Sequence, residues 1–337
     1  MGLLHFLFQT TMKFSTLLFA VFVSSTCLLA SCSKSPSPTA PVDTTVIKAV
    51  DADTIAYPQY GPPMLDTTIF YSGMHVGKIT DQSMAGASGI AASHAYPGMF
   101  WVEDDQSVSA PTVYLVDTAG GKRAYFSVTG ASNRDWTDMT IGAGPNPSTV
   151  YLYLADIGDS KASHATSTIY RVPEPQTPLD SNVLSGTTAA ADKIIFKYPD
   201  GPRDAETILI DPATKDLYIV DKGTTANVYF LPYPQSTDTV ITVKKILTRI
   251  PNGPLRSGGI SSSRRDIVIK SYLAIFYWKI APGQSILDAL LTTPVIEPIL
   301  PEIQGEAMCF SINDDAYWTT SKFSTQNYAD LNRFRRK

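Results

Sequence analysis

Three cysteines and four histidines are all that the 337 residues carry, and each shortage removes a class of chemistry. With Cys27, Cys32 and Cys309 so far apart, no disulfide framework holds this chain together, and its stability has to come from a packed core. The histidines His5, His75, His94 and His164 show no His-x-x-x-His spacing of the kind that binds zinc. Charged residues make up only 17%, the formal net charge is −4, and the longest basic run is Arg335-Arg336-Lys337, so the electrostatic footprint of a nucleic-acid binder is missing. There is no Gly-x-Ser-x-Gly elbow and no phosphate-cradling glycine loop. Helical periodicity is scarce too, since only Gln284–Leu291 reads as a helix. What remains is a 44% hydrophobic chain, long enough to bury a sizeable core.

The first apolar stretch has a separate purpose. Residues 14–31 contain no charged side chain and follow Met12-Lys13, giving the n-region, h-region and small-residue end of a secretory signal. The stretch is short for a membrane span. It closes on Leu29-Ala30-Ser31-Cys32, which resembles the lipobox of bacterial lipoproteins. That resemblance implies lipidation of Cys32, a signal peptide over 1–31, and a bacterial cell-envelope location on the outer membrane or its periplasmic or surface face. Residues 1–11 add no positive charge to the signal, so Met1 and Met12 both remain as starts. Residues 32–45 form a Ser/Pro tether with too few apolar residues to pack. The membrane is then a partner through the lipid anchor alone, and residues 46–337 are expected to form one domain, a monomer.

From Ser88 onward the chain repeats itself. Five openings align on their third residue, SGIAAS at 88, TDMTIG at 137, ETILID at 206, GGISSS at 258 and EAMCFS at 306, with Ile90, Met139, Ile208, Ile260 and Met308 in register. The intervals are 49, 69, 52 and 48 residues, the long one holding polar insertions at 160–167 and 176–191. Each unit continues with short β-branched and aromatic runs separated by Gly, Pro, Asp and Asn: Val150–Leu154, Thr168–Val172 and Lys193–Phe196 in the second, for example. Four strands per unit of about 50 residues is the pattern of a β-propeller blade. The fifth unit runs out after three strands. Candidate strands Val46–Val50 and Thr68–Tyr71 are available to complete it, so the expectation is an all-β, five-bladed propeller closed by pairing of its two ends, with six blades as the alternative. Trp101, Trp278 and Trp318 lie in strands and read as inter-blade core, with a sugar-stacking platform as the alternative; Cys309 reads as buried packing.

The segments Asn133-Arg134-Asp135-Trp136, Tyr153–Asp159, Ile169–Pro175, Tyr198–Glu206 and Gln304–Ala307 together resemble a family of exported bacterial β-propeller proteins of unsettled activity, over about Ser88–Lys322. The chain also resembles, more loosely, the phytase-like and lactonase-like propellers, in which acids around the tunnel hold calcium. Where the first family has glutamate in an Asp-Trp-Glu-Asp motif, this chain has Thr137.

Because the first strand of every blade lines the tunnel, its opening residues converge on one axis. Asp138, Asp156, Glu206 and Glu306 are therefore expected at one mouth, with Lys222, Lys270 and Lys322, which end three second strands, as basic partners. The looser resemblance implies Ca²⁺ as a cofactor, held by Asp138, Asp156, Asp159, Glu206 and Glu306, since a hard cation takes six to eight oxygens. The alternative is that these acids cap turns beside basic side chains. With Thr137, Ser88 and Gly258 at the other three openings, only two of the five tunnel-facing positions are acidic. The functional expectation is a lipid-anchored propeller binding a small molecule, a glycan or a protein at its tunnel mouth, with no nucleic acid and no legible catalytic set. The alternative is a calcium-dependent esterase or phosphatase.

Overall fold

A computed structural model describes residues 46–105, 110–180, 182–250 and 253–337. The signal segment and the tether, Cys32 included, lie outside the described residues. Strand β1 (Met74–Ile79) comes first and is held back for the end of the ring. Blade one follows as β2 (Ala87–Ala92), β3 (Met99–Asp104), β4 (Thr112–Asp117) and β5 (Lys122–Ser127). Blade two opens with β6 (Trp136–Ala143), β7 (Val150–Asp156) and β8 (Ser167–Pro173). The chain then returns to blade one, adding β9 (Leu184–Thr187) parallel to β5, before β10 (Asp192–Lys197) completes blade two. Blade three is β11 (Ala205–Ile210), β12 (Leu217–Asp221) and β13 (Ala226–Leu231), with β14 (Ile241–Thr242) lent back to β10 and β15 (Lys244–Ile250) outermost. Blade four is β16 (Leu255–Ile260), β17 (Asp266–Ser271) and β18 (Ile275–Lys279), then helix α1 (Ile286–Leu290) and β19 (Val295–Glu297). Blade five is β20 (Ala307–Phe310), β21 (Ala316–Thr320) and β22 (Ala329–Arg335), and its fourth strand is β1, antiparallel to β22.

The inner strands β2, β6, β11, β16 and β20 pack in succession, and β20 meets β2. This is a five-bladed β-propeller closed by its two ends, as the repeat spacing predicts, with five blades rather than six. The closing strand itself differs from expectation. Val46–Val50 forms no strand, and the Thr68–Tyr71 segment contributes only the single bridge Phe70 to Arg336. Residues 46–72 instead run along the outer edges of blades three, four and five, bridging at Ala56–Leu247, Leu65–Ile296 and Phe70–Arg336. Pro58, Pro62 and Pro63 remove the amide donors that a continuous ladder needs, which leaves isolated bridges.

A blade is buried on both faces because a neighbour stands on each side, which is why strands such as β7 and β12 are buried along nearly their whole length instead of alternating. The core is divided into five clusters, one at each blade boundary. Trp101, Trp136, Trp278 and Trp318 all lie in these clusters, at most 5% exposed, so the tryptophans are inter-blade packing. Burying each such side chain contributes about 2–3 kcal/mol. Cys309 is likewise buried, between blades five and one. Helix α1 is capped by the Ser285 hydroxyl, which accepts from the Asp288 amide at 3.0 Å, and it pushes Ile286, Ala289 and Leu290 into the boundary between blades three and four.

Candidate functional site

The inner strands begin on the same face on which the second strands end, and the first of them share a local irregularity. In blades one to four a β-bulge interrupts the ladder one residue into the inner strand, between Ala87 and Gly89, Trp136 and Asp138, Ala205 and Thr207, and Leu255 and Ser257. A bulge leaves one residue unpaired and re-aims its side chain. The bulged residues are Ser88, Thr137, Glu206 and Arg256, and Glu306 holds the corresponding place just ahead of β20. The fourth of these corrects the sequence register, which puts Gly258 there. The repeat asks for a large aliphatic at the third position, and in blade four Ile260 meets that demand while the true third residue, Gly258, does not. A Cβ on Gly258 would stand 2.6 Å from the Val268 carbonyl oxygen and 3.0 Å from Leu209 Cδ2, so the blades approach too closely there for any side chain.

Each bulged residue reaches the next blade. The Ser88 hydroxyl donates to the Trp136 carbonyl at 3.0 Å and to Glu103 Oε1 at 2.8 Å; the Thr137 hydroxyl donates to the Ala205 carbonyl at 3.0 Å. From blade three onward these neutral links give way to ionic ones. Arg256 Nη1 lies 3.3 Å from Glu206 Oε1 and 3.4 Å from Glu306 Oε2, placing one guanidinium between two carboxylates. Lys222 Nζ donates to Glu206 Oε1 at 2.5 Å, Tyr272 donates to Glu306 Oε1 at 2.6 Å, and Arg256 stacks on the Tyr272 ring with 4.1 Å to its centroid. Lys322 donates to Asp105 in blade one and stands 3.9 Å from Glu306, which carries the circuit back to its start.

Glu206, Arg256 and Glu306 are 7%, 8% and 2% exposed. Burial pushes the Glu206 carboxyl up to about 7, against the pull of Lys222 and Arg256. Burial also works against the Lys322 ammonium, but Asp105, Glu306 and Glu206 around it hold its pKa above the ordinary value. Burial and the Glu306 carboxylate together push the Tyr272 phenol up, so it keeps the proton it donates to Glu306. Arg256 makes no hydrogen bond among the described residues: its approaches to the two glutamates are pairings of charge, and its buried Nε has no partner. Glu306 Oε2 is also without a hydrogen bond. Beside this cluster, Arg203, Asp204, Lys222 and Pro254 line an open cleft of about 390 Å³.

The structure thus brings together Glu206, Glu306, Lys222 and Lys322, and places the other expected residues elsewhere. Asp138 lies inside the tunnel below the mouth, fully buried, accepting from the Ser257 hydroxyl at 2.9 Å and the Ile208 amide at 3.0 Å. Asp156 accepts from the Asp135 amide at 2.9 Å, and Asp159 caps its own loop through the amides of Ser163 and His164 at 3.0 and 2.7 Å. Lys270 is fully buried, 2.8 Å from Glu302 and 3.0 Å from the Gly305 carbonyl, so it pins the loop ahead of β20. Asp104 and Asp221 accept from backbone amides in the same manner as Asp156. Among the described residues no group of three or more Asp, Glu, His or Cys stands in metal-holding geometry.

Arg256, Tyr272, Asp105 and Glu103 are absent from the sequence-based set. Arg256 has a signal in the hairpin length: Ala205 faces Asp221 and Leu255 faces Ser271 over equal spans, and that match, rather than the aliphatic residue, gives the right register. Glu103 carries no such signal; it reads as the end of an apolar strand, yet its carboxyl is buried in the tunnel wall and pushed well above the carboxylate range by that burial. No protein-family model matches this chain, and no curated protein matches it.

Proposed function

We propose that this protein is a lipid-anchored cell-envelope propeller that binds a polar ligand at the charged mouth of its tunnel. The observation that carries the reading is Arg256, a buried guanidinium held at the axis by two glutamates, without one hydrogen bond from its five donors to a described residue. A network left incomplete in this way accepts a ligand whose oxygens meet the guanidinium, with Lys222 and Lys322 beside it. A carboxylate or a hydroxyl-rich sugar has that chemistry, and the cleft lined by Arg203, Asp204 and Lys222 gives it room. The resemblance to exported propellers and the lipobox ending in Cys32 support the envelope location.

The competing reading, a calcium-dependent esterase or phosphatase, needs the mouth carboxylates for the cation, whereas Glu206 and Glu306 are each engaged by a basic side chain. The test is a binding screen of organic acids and oligosaccharides against the wild type and Arg256→Met, followed by isothermal titration of any hit. A hit lost in Arg256→Met supports ligand binding. Thermal stabilisation by Ca²⁺ together with turnover of a phosphoester or lactone that Glu206→Gln abolishes would replace it with the enzymatic reading. Anchoring is tested separately: Cys32→Ser is expected to move the protein from the membrane to the soluble fraction.

A further inference from the structure

The opposite mouth of the tunnel has a different chemistry. There the inner strands end in small or apolar residues: Ala91-Ala92 in β2, Gly142-Ala143 in β6, Ile210 in β11, Gly258-Gly259-Ile260 in β16 and Phe310 in β20. They surround a cavity of about 360 Å³. Its walls are mainly apolar, from Ile90, Met139, Ile141, Ile210, Ile260 and Phe310; His94, Thr140, Ser262 and Ser311 add polar side chains, and there is no carboxylate, lysine or arginine. Blade one places Ala92 where the other blades carry Ile141, Ile210, Ile260 and Phe310, and Gly142 and Gly259 bring no side chain, which leaves the volume open.

The cavity is blind. One residue deeper than Met139 and Gly258, which line it, the Ser257 hydroxyl donates to Asp138, tying blade four to blade two across the tunnel interior. Ser257 also accepts from the Met308 amide of blade five at 3.0 Å, and both Asp138 and Ser257 are fully buried. This polar brace separates the apolar pocket from the charged mouth, so the two ends of the tunnel form independent compartments. The hydroxyls of Ser148 and Thr149 stand at the rim, where a single polar end would meet them.

We infer that this pocket is a second binding site, for a small uncharged apolar molecule, aliphatic or aromatic, entering on the face opposite the charged mouth. Volume and lining decide the class of occupant. An apolar cavity of about 150 Å³ already stays dry and takes up benzene, and this one is more than twice that size. Most of the wall is aliphatic or aromatic, and a charged ligand meets no carboxylate, lysine or arginine there, while burial lowers the pKa of His94 and favours its neutral form. A peptide segment does not match it either, because a blind pocket of this size admits one or two side chains but no through-running backbone.

The test uses N-phenyl-1-naphthylamine, an uncharged apolar fluorophore, titrated into the full-length protein. One saturable equivalent is expected. Gly259→Leu is the filling variant: a Cβ there meets only Phe310, at 3.6 Å from Cδ2 and 4.0 Å from N, both ordinary contacts, and the rest of the side chain takes up pocket volume. Ile260→Trp fills the pocket from the adjacent position. Both are expected to weaken the fluorophore by at least about tenfold, while Glu206→Gln at the other mouth leaves it unchanged. A wild type that shows no saturable binding, or filling variants that melt like the wild type and bind as well as it does, would overturn the inference. If neither variant folds, the wild type decides alone.

Discussion

Ser257 and Asp138 meet across the tunnel, hydroxyl to carboxyl at 2.9 Å, from blades four and two. Burial pushes the Asp138 carboxyl well above its ordinary value, against the pull of the bonds from Ile208 and Ser257. Asp138→Asn keeps the network whole: its amide oxygen accepts from Ile208, its amide nitrogen donates to Ser257, and the Ser257 hydrogen turns to the Met308 carbonyl at 3.4 Å. Asp138→Ala leaves the buried Ile208 amide unmet and a cavity where the carboxyl stood. Chemical denaturation is expected to show a loss of about 2–4 kcal/mol for Ala and under about 1.5 kcal/mol for Asn at neutral pH. Equal losses would mean that the carboxyl is ionised and valued for its charge.

At the mouth, Arg256→Met removes the cation between Glu206 and Glu306. Two buried carboxylates then face each other with less compensation, so the Glu206 pKa is expected to climb above its present value of about 7. A carbon-detected NMR titration of the glutamate carboxyls reads this directly. Breaking a buried ion pair on one side also costs about 3 kcal/mol, visible in thermal unfolding, and Arg256→Lys should recover part of it. A Glu206 titration that does not move in Arg256→Met would show that Lys222 alone governs that group.

The ring and most of its strands are legible in the sequence because a propeller states its period outright: five aliphatic openings, each followed by apolar runs of strand length. The insertion at 176–191 gives no comparable signal, since Leu184–Thr187 becomes β9 only by adding to the edge of blade one, a neighbour far from it in the chain. The closing strand is missed for a similar reason. Met74–Ile79 contains Gly77 and only moderate β propensity, and its pairing with β22 is decided by where the other strands leave room. At the site, Glu206, Glu306 and two lysines follow from the repeat, whereas Arg256 is lost to a two-residue register shift. The repeat puts Asp138 with the others because an opening residue faces the axis at the mouth; at the bulge Thr137 takes that place, reaching the Ala205 carbonyl, and Asp138 lies one step deeper.

Glu297 offers a pH test away from both mouths. It is fully buried on β19, neither carboxyl oxygen has a hydrogen bond, and burial together with Asp66 and Asp266 raises its pKa to about 8, against the pull of Arg336. A carboxyl with a raised folded pKa binds its proton more tightly in the folded state. Its contribution is fully present below the unfolded value of 4.5 and is lost as pH rises toward about 8. Glu297→Gln removes this dependence. The variant is expected to match the wild type near pH 4.5 and to exceed it by roughly 2–4 kcal/mol at pH 8; a constant difference between the two across that range would assign the effect to packing instead.

The closure of the ring is the last point at which a single residue tests the architecture. Gly77 on β1 sits against the β4–β5 turn of blade one, where a Cβ would stand 2.3 Å from the Thr118 carbonyl oxygen, and Gly120 of that turn would meet the Lys78 carbonyl at 2.2 Å. The Lys78 amide donates to the Ala119 carbonyl at 2.9 Å, so β1 is bound on one side to β22 and on the other to the next blade. Both contacts are backbone against backbone and have no flexible side chain to yield. Gly77→Val therefore has to separate β1 from blade one, breaking the Lys78 bond and loosening the boundary between blades five and one. Thermal unfolding should register a loss of about 2–4 kcal/mol. Release of β1 would also leave β22 as an open edge, ready to pair with another chain, so the variant is expected to elute as oligomers at concentrations where the wild type gives one species. A Gly77→Val protein with wild-type melting and elution would show that the ring does not depend on this junction, and that β1 is an accessory strand on blade five.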